Sequence, residues 1–228
     1  MSEPLSTEDV AHAIDHRRRS HEPSHRREEV VEILEGILLA IVAVATAWSG
    51  FQTARWDGKS AHLYEVSSTK QSLAIQASTL AGQQELYDST TFSFWLQAEA
   101  VGNTATQRTF ERRFRPEFRP AFQAWLRTDP FHNPTAPSGP IVMPQYRNGE
   151  AAKATALNHE ALHDFELGAK AREDAEQYLR NTVLLAMVLF LIAVAQRFET
   201  AGVRRALLAL AGIALIVAVY LIVTFPTA

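Results

Sequence analysis

Residues 206–225, ALLALAGIALIVAVYLIVTF, run for about 20 positions without a charge, which at 1.5 Å per residue is the length of one bilayer crossing. Inside lipid every backbone N–H and C=O must be satisfied within the segment, so such a run folds as a helix. Two further apolar segments accompany it, at 30–56 and 179–198. In the second of these, residues 182–195 alone are too short to cross. Residues 179–198 are long enough, with Arg180 and Arg197 able to snorkel at the two ends. The first segment carries Ala45-Thr46-Ala47, which resembles a leader-cleavage site, but the polar stretch before it is longer than an ordinary leader and favours an uncleaved span.

The first span, VVEILEGILLAIVAVATAWSGFQTARW, holds a seam of small residues. Gly36, Ala40, Ala43, Ala47, Gly50 and Ala54 recur at steps of four and three, which places them on one helical face. Helices in lipid associate by close backbone approach, and Gly or Ala at this spacing permits it. Trp48, Phe51 and Trp56 fall where an aromatic belt meets the headgroups. The partners expected on these grounds are the lipid bilayer and further copies of the same chain.

Arginine placement sets an expected orientation. Arg17, Arg18, Arg19, Arg26 and Arg27 precede the first span, and Arg197, Arg204 and Arg205 lie between the second and third. Positive-inside logic puts both groups in the cytoplasm and the C-terminus outside. The chain then divides into a mobile cytoplasmic tail (1–29), a first span (30–56) and an extracytoplasmic helical domain (57–178). A second span (179–198), a cytoplasmic hairpin (199–205), a third span (206–225) and an outer terminus (226–228) follow. In the tail, Glu22-Pro23-Ser24 is expected to break a short helix.

The middle region reads as helical, because no stretch alternates apolar and polar residues and Ala, Gln, Glu and Leu abound. The first span is expected to continue outward as one helix to Tyr87, with Val66, Leu73, Leu80 and Tyr87 forming a seven-residue seam. A second helix is expected from Ser89 to Phe114. A short amphipathic helix opened by Pro116 then presents Phe118, Phe122 and Trp125. The proline-rich stretch 128–148 reads as an irregular crossover loop, and a last helix starts near Gly149 and runs into the second span. The expected fold is thus all-α: three transmembrane helices with an extracytoplasmic antiparallel helical bundle between the first and second.

Several function classes are excluded or weakened. The formal net charge of −3 gives no basic field for nucleic acid. The absence of cysteine removes disulfides, thiolate zinc sites and thiol nucleophiles. No phosphate loop or serine elbow stands out, and no cofactor is expected. One motif reads as enzymatic: His159-Glu160-Ala161-Leu162-His163 matches H-E-x-x-H, in which two histidines bind zinc and the glutamate is a general base. Against it, no third ligand can close the site from the same helix. Helical phase also puts Leu157, Ala161, Phe165, Gly168 and Ala175 inside and the histidines opposite, with Glu166 and Lys170. Phe110, Phe114, Phe118 and Phe122 interleave with Arg112, Arg113, Arg115, Arg119 and Arg127. The rings are expected to cap a core, and the arginines to face water or lipid phosphates. Glu35, with Glu32, sits at the cytoplasmic mouth of the first span, where a carboxylate can mark an ion path.

The stretches AVATAWSGFQTARWDG, YLRNTVLLAMVLFLIAVAQRFE and RRALLALAGIALIVAVYLIVTFP, with the layout of one span, a helical region and a two-span hairpin, resemble uncharacterised bacterial three-span membrane proteins. The resemblance implies an inner-membrane location and no activity. The function expected is a non-enzymatic structural, sensing or assembly component acting as an oligomer. An ion-conducting homo-oligomer with Glu35 near its mouth is the first alternative, and a zinc-dependent hydrolase using His159, Glu160 and His163 the second.

Overall fold

A computed structural model describes the backbone of residues 7–198 and 200–227, and side chains from residue 33 onward. The described residues form five α-helices and no strand: α1 (Thr7–Ala100), α2 (Thr104–Arg113), α3 (Arg119–Leu126), α4 (Gly149–Ala195) and α5 (Ala201–Thr224). One 3₁₀ turn, Pro140–Val142, interrupts the loop between α3 and α4. Three helices (α1, α4 and α5) are long and apolar enough to cross a membrane. The chain divides into two compact units, residues 1–60 with 170–228, and residues 61–169.

The backbone departs from expectation at three places. Residues 1–6, Glu199 and the side chains of 7–32 lie outside the described residues, so the tail reading and part of the hairpin reading do. Within the described backbone α1 runs through Glu22-Pro23-Ser24, since a proline forfeits one i→i−4 bond without having to end the helix. α1 also continues past Tyr87 to Ala100, so no helix begins at Ser89. The break comes at Gly102 (φ 67°), where Gly102 N–H donates to Glu99 O and Asn103 N–H to Ala98 O, both at 2.9 Å. That pair of bonds closes a helix end around a left-handed glycine. Asn103 then caps α2, its side chain accepting from Thr106 N–H at 3.1 Å. α3 is opened by Pro120 rather than Pro116, and α5 already includes Ala201 and Gly202, which shortens the expected hairpin.

In the first unit, Val42 of α1, Leu185, Val188, Ile192 of α4 and Ala211, Leu215, Ala218 of α5 form one buried aliphatic core. Ser49 Oγ donates to Tyr178 O at 2.8 Å and Thr182 Oγ1 to Ser49 Oγ at 3.0 Å, tying α1 to α4. One position before Thr182, the Asn181 amide is buried, with no protein hydrogen-bond partner for its nitrogen or oxygen.

In the second unit, the buried face of α1 is Ser67, Ala74, Ala77, Ala81, Asp88, Thr91, Trp95 and Ala98. The seven-residue period is the expected one, but its phase is one residue later. Leu73, Leu80 and Tyr87 are exposed, between 42% and 45%. Ser67 Oγ donates to Ala161 O and Asn148 Nδ2 to Ala81 O, so α4 runs opposite to α1 here. Small side chains permit this approach, as at Gly168, where a Cβ would lie 3.1 Å from the Tyr64 ring.

Candidate functional site

The small-residue seam of α1 faces outward. Gly36, Ala40, Ala43, Ala47, Gly50 and Ala54 are all exposed, and a Cβ at Gly36 or Gly50 would meet nothing within 4 Å. The core-facing side of the same helix carries Glu35, Val42, Ser49, Gln52 and Trp56 instead. Trp48 and Phe51 are exposed, as a belt requires, whereas Trp56 turns inward.

Two clamps hold the ends of this three-helix unit. Glu35, 6% exposed, accepts from Arg204 Nε at 2.9 Å and from its terminal nitrogen at 2.7 Å, both on one carboxylate oxygen. At the other end Trp56 Nε1–H and Tyr178 O–H both donate to the Pro226 carbonyl, at 3.1 and 3.2 Å, while Phe225 packs edge-on against Tyr178. Glu35 and Trp56 are about 30 Å apart along α1 at helical rise, close to the thickness of a bilayer's hydrocarbon core. Proline 226 is suited to the second clamp because its preceding helix has ended, leaving a free carbonyl.

The H-E-x-x-H residues lie on α4 in the second unit. His159 and His163 are exposed, with Glu166 and Lys170 on the same side. Glu160 is taken by Lys70, Nζ to Oε2 3.0 Å, and the same ammonium meets Asp164 at 2.8 Å. Those two carboxylates, Asp164 first, raise the Lys70 pKa above its ordinary value. Among the described residues no group of three or more His, Asp or Glu side chains could hold a metal ion. Of the expected buried stripe, Ala161, Gly168 and Ala175 are buried and Leu157 half-buried, but Phe165 is 54% exposed and leans on Tyr64, ring centres 5.2 Å apart.

The aromatic–arginine segment builds the densest part of the second unit. Trp95, Phe114, Phe118, Phe122 and Trp125 form a buried cluster, most of its pairs edge to face. Arg115 is half-buried and, contrary to expectation, is turned toward the protein rather than to water or lipid. Its guanidinium grips the wholly buried Asp88, Nε to Oδ1 3.0 Å and the terminal nitrogen to Oδ2 2.9 Å. Tyr146 O–H adds a third donor at 3.2 Å. A carboxylate out of water needs such partners. The Asp88 contact raises the Arg115 pKa, and burial, followed by the Asp88 charge, raises that of Tyr146. Tyr146 and Trp125, whose Nε1–H donates to Pro137 O at 2.7 Å, pin the proline-rich loop onto the cluster. Arg119 donates to the carbonyls of Phe114 and Arg112, while Arg108, Arg112 and Arg127 are exposed.

A lone aspartate in a helical seam carries no sequence signal for burial. Only its pairing with an arginine 27 positions later makes it a latch. Comparison of the chain with protein-family models, curated proteins and solved structures finds no match. The class is therefore defined by the fold: an all-helical chain with three helices able to cross a membrane.

Proposed function

We propose that this chain is a multi-pass membrane protein of structural, sensing or assembly function, without enzymatic activity, that works as a homo-oligomer. One observation carries the reading: the seam Gly36, Ala40, Ala43, Ala47, Gly50 is exposed over its whole length while the opposite face of α1 is buried. In lipid, small residues at this spacing favour close helix approach, and a second copy supplies the same face. The layout resembles bacterial inner-membrane three-span proteins. The arginine distribution favours a cytoplasmic N-terminus, with residues 57–178 outside as an antiparallel bundle. The Pro226 clamp supports an odd number of crossings, since it holds the end of α5 beside Trp56 and Tyr178. Glu35, held by Arg204, is read as a helix clamp rather than an ion-path carboxylate.

The test is native mass spectrometry with cross-linking on Ala40→Leu, Ala43→Leu and, beside the seam, Val44→Leu, which is 71% exposed. Leucine is as compatible with lipid as alanine, so insertion survives. Ala40→Leu and Ala43→Leu are expected to shift the chain toward monomer, and Val44→Leu to leave it unchanged. A wild-type chain monomeric at all concentrations, or equal behaviour of the three variants, defeats the reading.

A further inference from the structure

We propose that an exposed stripe of α1 in the second unit pairs with the same stripe of a second copy, as a short parallel coiled coil. Leu73, Leu80, Tyr87 and Phe94 recur every seventh residue and are each between 42% and 47% exposed. Three positions after them come Gln76, Gln83, Thr90 and Gln97, all exposed. These are the two seam positions of a heptad, the spacing that supercoiling helices share. The protomer's own packing uses the neighbouring set, Ala74, Ala77, Ala81 and Asp88, so the stripe is left over once the unit has folded. α2 flanks its upper part, where Phe94 stacks on Phe110 at 5.5 Å and Tyr87 O–H donates to the Arg113 carbonyl. Both rings stay about half exposed all the same.

Charge decides the occupant. Between Lys70 and Arg108 the only charged residues are Glu85, Asp88 and Glu99. Asp88 is buried against Arg115, and helical phase puts Glu85 and Glu99 on the side of α1 away from the stripe. A surface that faces water ordinarily carries about 25–35% charged residues, and the stripe has none with which to meet a charged partner. Two copies inserted in one bilayer in the same sense present their stripes in parallel. At a two-fold axis each side chain then meets its own counterpart. A charged group would repel its twin there, whereas a glutamine amide is both donor and acceptor and complements itself.

The size of the stripe says how it works. From Leu73 to Phe94 it is about 32 Å long at helical rise and about 10 Å wide, roughly 300 Å² per copy. A stable interface takes about 800 Å² from each partner. The stripe therefore acts between copies already held together through the first-span seam, and the inference rests on the homo-oligomer reading.

The experiment is cysteine cross-linking of the purified full-length chain, which has no cysteine of its own. Under oxidation Gln76→Cys and Gln83→Cys are expected to form disulfide-linked dimers. Ser78→Cys and Glu85→Cys, exposed on the opposite side of α1, are expected to stay unlinked. Adding Gln83→Lys to Gln76→Cys sets two ammonium groups against each other and should abolish the link. Mixing those copies with copies carrying Gln76→Cys and Gln83→Glu should restore it. All these positions are exposed, so the thermal midpoint of the protomer should not move. Equal linking at all four positions, or no rescue in the mixture, overturns the proposal. So does a Gln76→Cys chain that, in whole membranes, links only to a different protein. Native mass spectrometry separates this failure from that of the wider reading. An oligomer without links at 76 and 83 overturns the stripe contact alone, and a monomer overturns both.

Discussion

The two units use the same helix in opposite ways. In residues 1–60 with 170–228, the alanine and glycine face of α1 points outward, and large aliphatic side chains such as Val42, Leu185 and Ile192 fill the interior. In residues 61–169 the small face, Ser67, Ala74, Ala77 and Ala81, is the interior, and Leu73, Ile75 and Leu86 stay outside. Alanine buries little apolar area, and burial scales with area. The second unit therefore depends on its aromatic cluster and on polar latches that the first unit needs less. Small residues at a heptad spacing mark close approach to another part of the chain in the second unit, whereas in the first unit they are exposed.

The latch at Asp88 gives the sharpest test of that contrast. Asp88→Ala leaves the Arg115 guanidinium and the Tyr146 hydroxyl without their shared acceptor. Removing one partner of a buried pair typically costs about 3–5 kcal/mol. The expected result is loss of the cooperative unfolding transition followed through tryptophan fluorescence, with early protease cleavage in the loop 128–148. A cost below about 1 kcal/mol would shift the weight from the latch to the aromatic cluster.

Next in size is a pair of matched substitutions. Ala77→Leu forces three extra carbons into the α1 seam of the second unit, where Ala77 is 4% exposed, and overpacking costs about 1–3 kcal/mol. Ala43→Leu, made on the exposed face in the first unit, should leave the unfolding midpoint of the protomer unchanged and affect association alone. A silent Ala77→Leu, or an Ala43→Leu that unfolds the protomer, would erase the difference between the two faces.

That pair also marks where sequence reasoning succeeded and where it failed. Hydropathy and length placed the apolar segments, because a charge-free run of bilayer length has few other fates. α4 starts at Gly149 as expected, and Asn148 Oδ1 accepts from Glu150 and Ala151 N–H. Phe118, Phe122 and Trp125 share a buried face as their spacing implies. The buried seam of α1 in the second unit lies one residue later than Val66, Leu73, Leu80 and Tyr87, because hydrophobicity alone does not select it. Leu73 and Leu80 outrank Ala74 and Ala81 on any hydropathy scale, yet close backbone approach selects the smaller pair. Gly102-Asn103 held a readable signal, a left-handed helix stop followed by a capping residue. The Asp88–Arg115 pair depends on tertiary approach and left no local trace.

The smallest expected effect separates the charged contacts of the two units by pH. Lys70 is partly exposed and joins α1 to Glu160 and Asp164 of α4, so solvent screens much of its attraction. Lys70→Met should lower the thermal midpoint by less than Ala77→Leu does, and 1 M salt should shrink the difference. The sign of the pH dependence follows from the raised Lys70 pKa. A group whose folded pKa exceeds its unfolded value contributes fully below the unfolded value, here 10.5, and loses that contribution as pH rises through the folded one. Wild type and Lys70→Met should thus differ at pH 8 and converge above the folded pKa. The Glu35–Arg204 clamp contains no ammonium group, so the Lys70 argument does not extend to it. The gap between wild type and Arg204→Met should persist where the Lys70 gap closes. If both gaps closed together, the convergence would reflect general alkaline loosening of the chain, and the contrast between the Lys70 contact and the Glu35–Arg204 clamp would carry no energetic meaning.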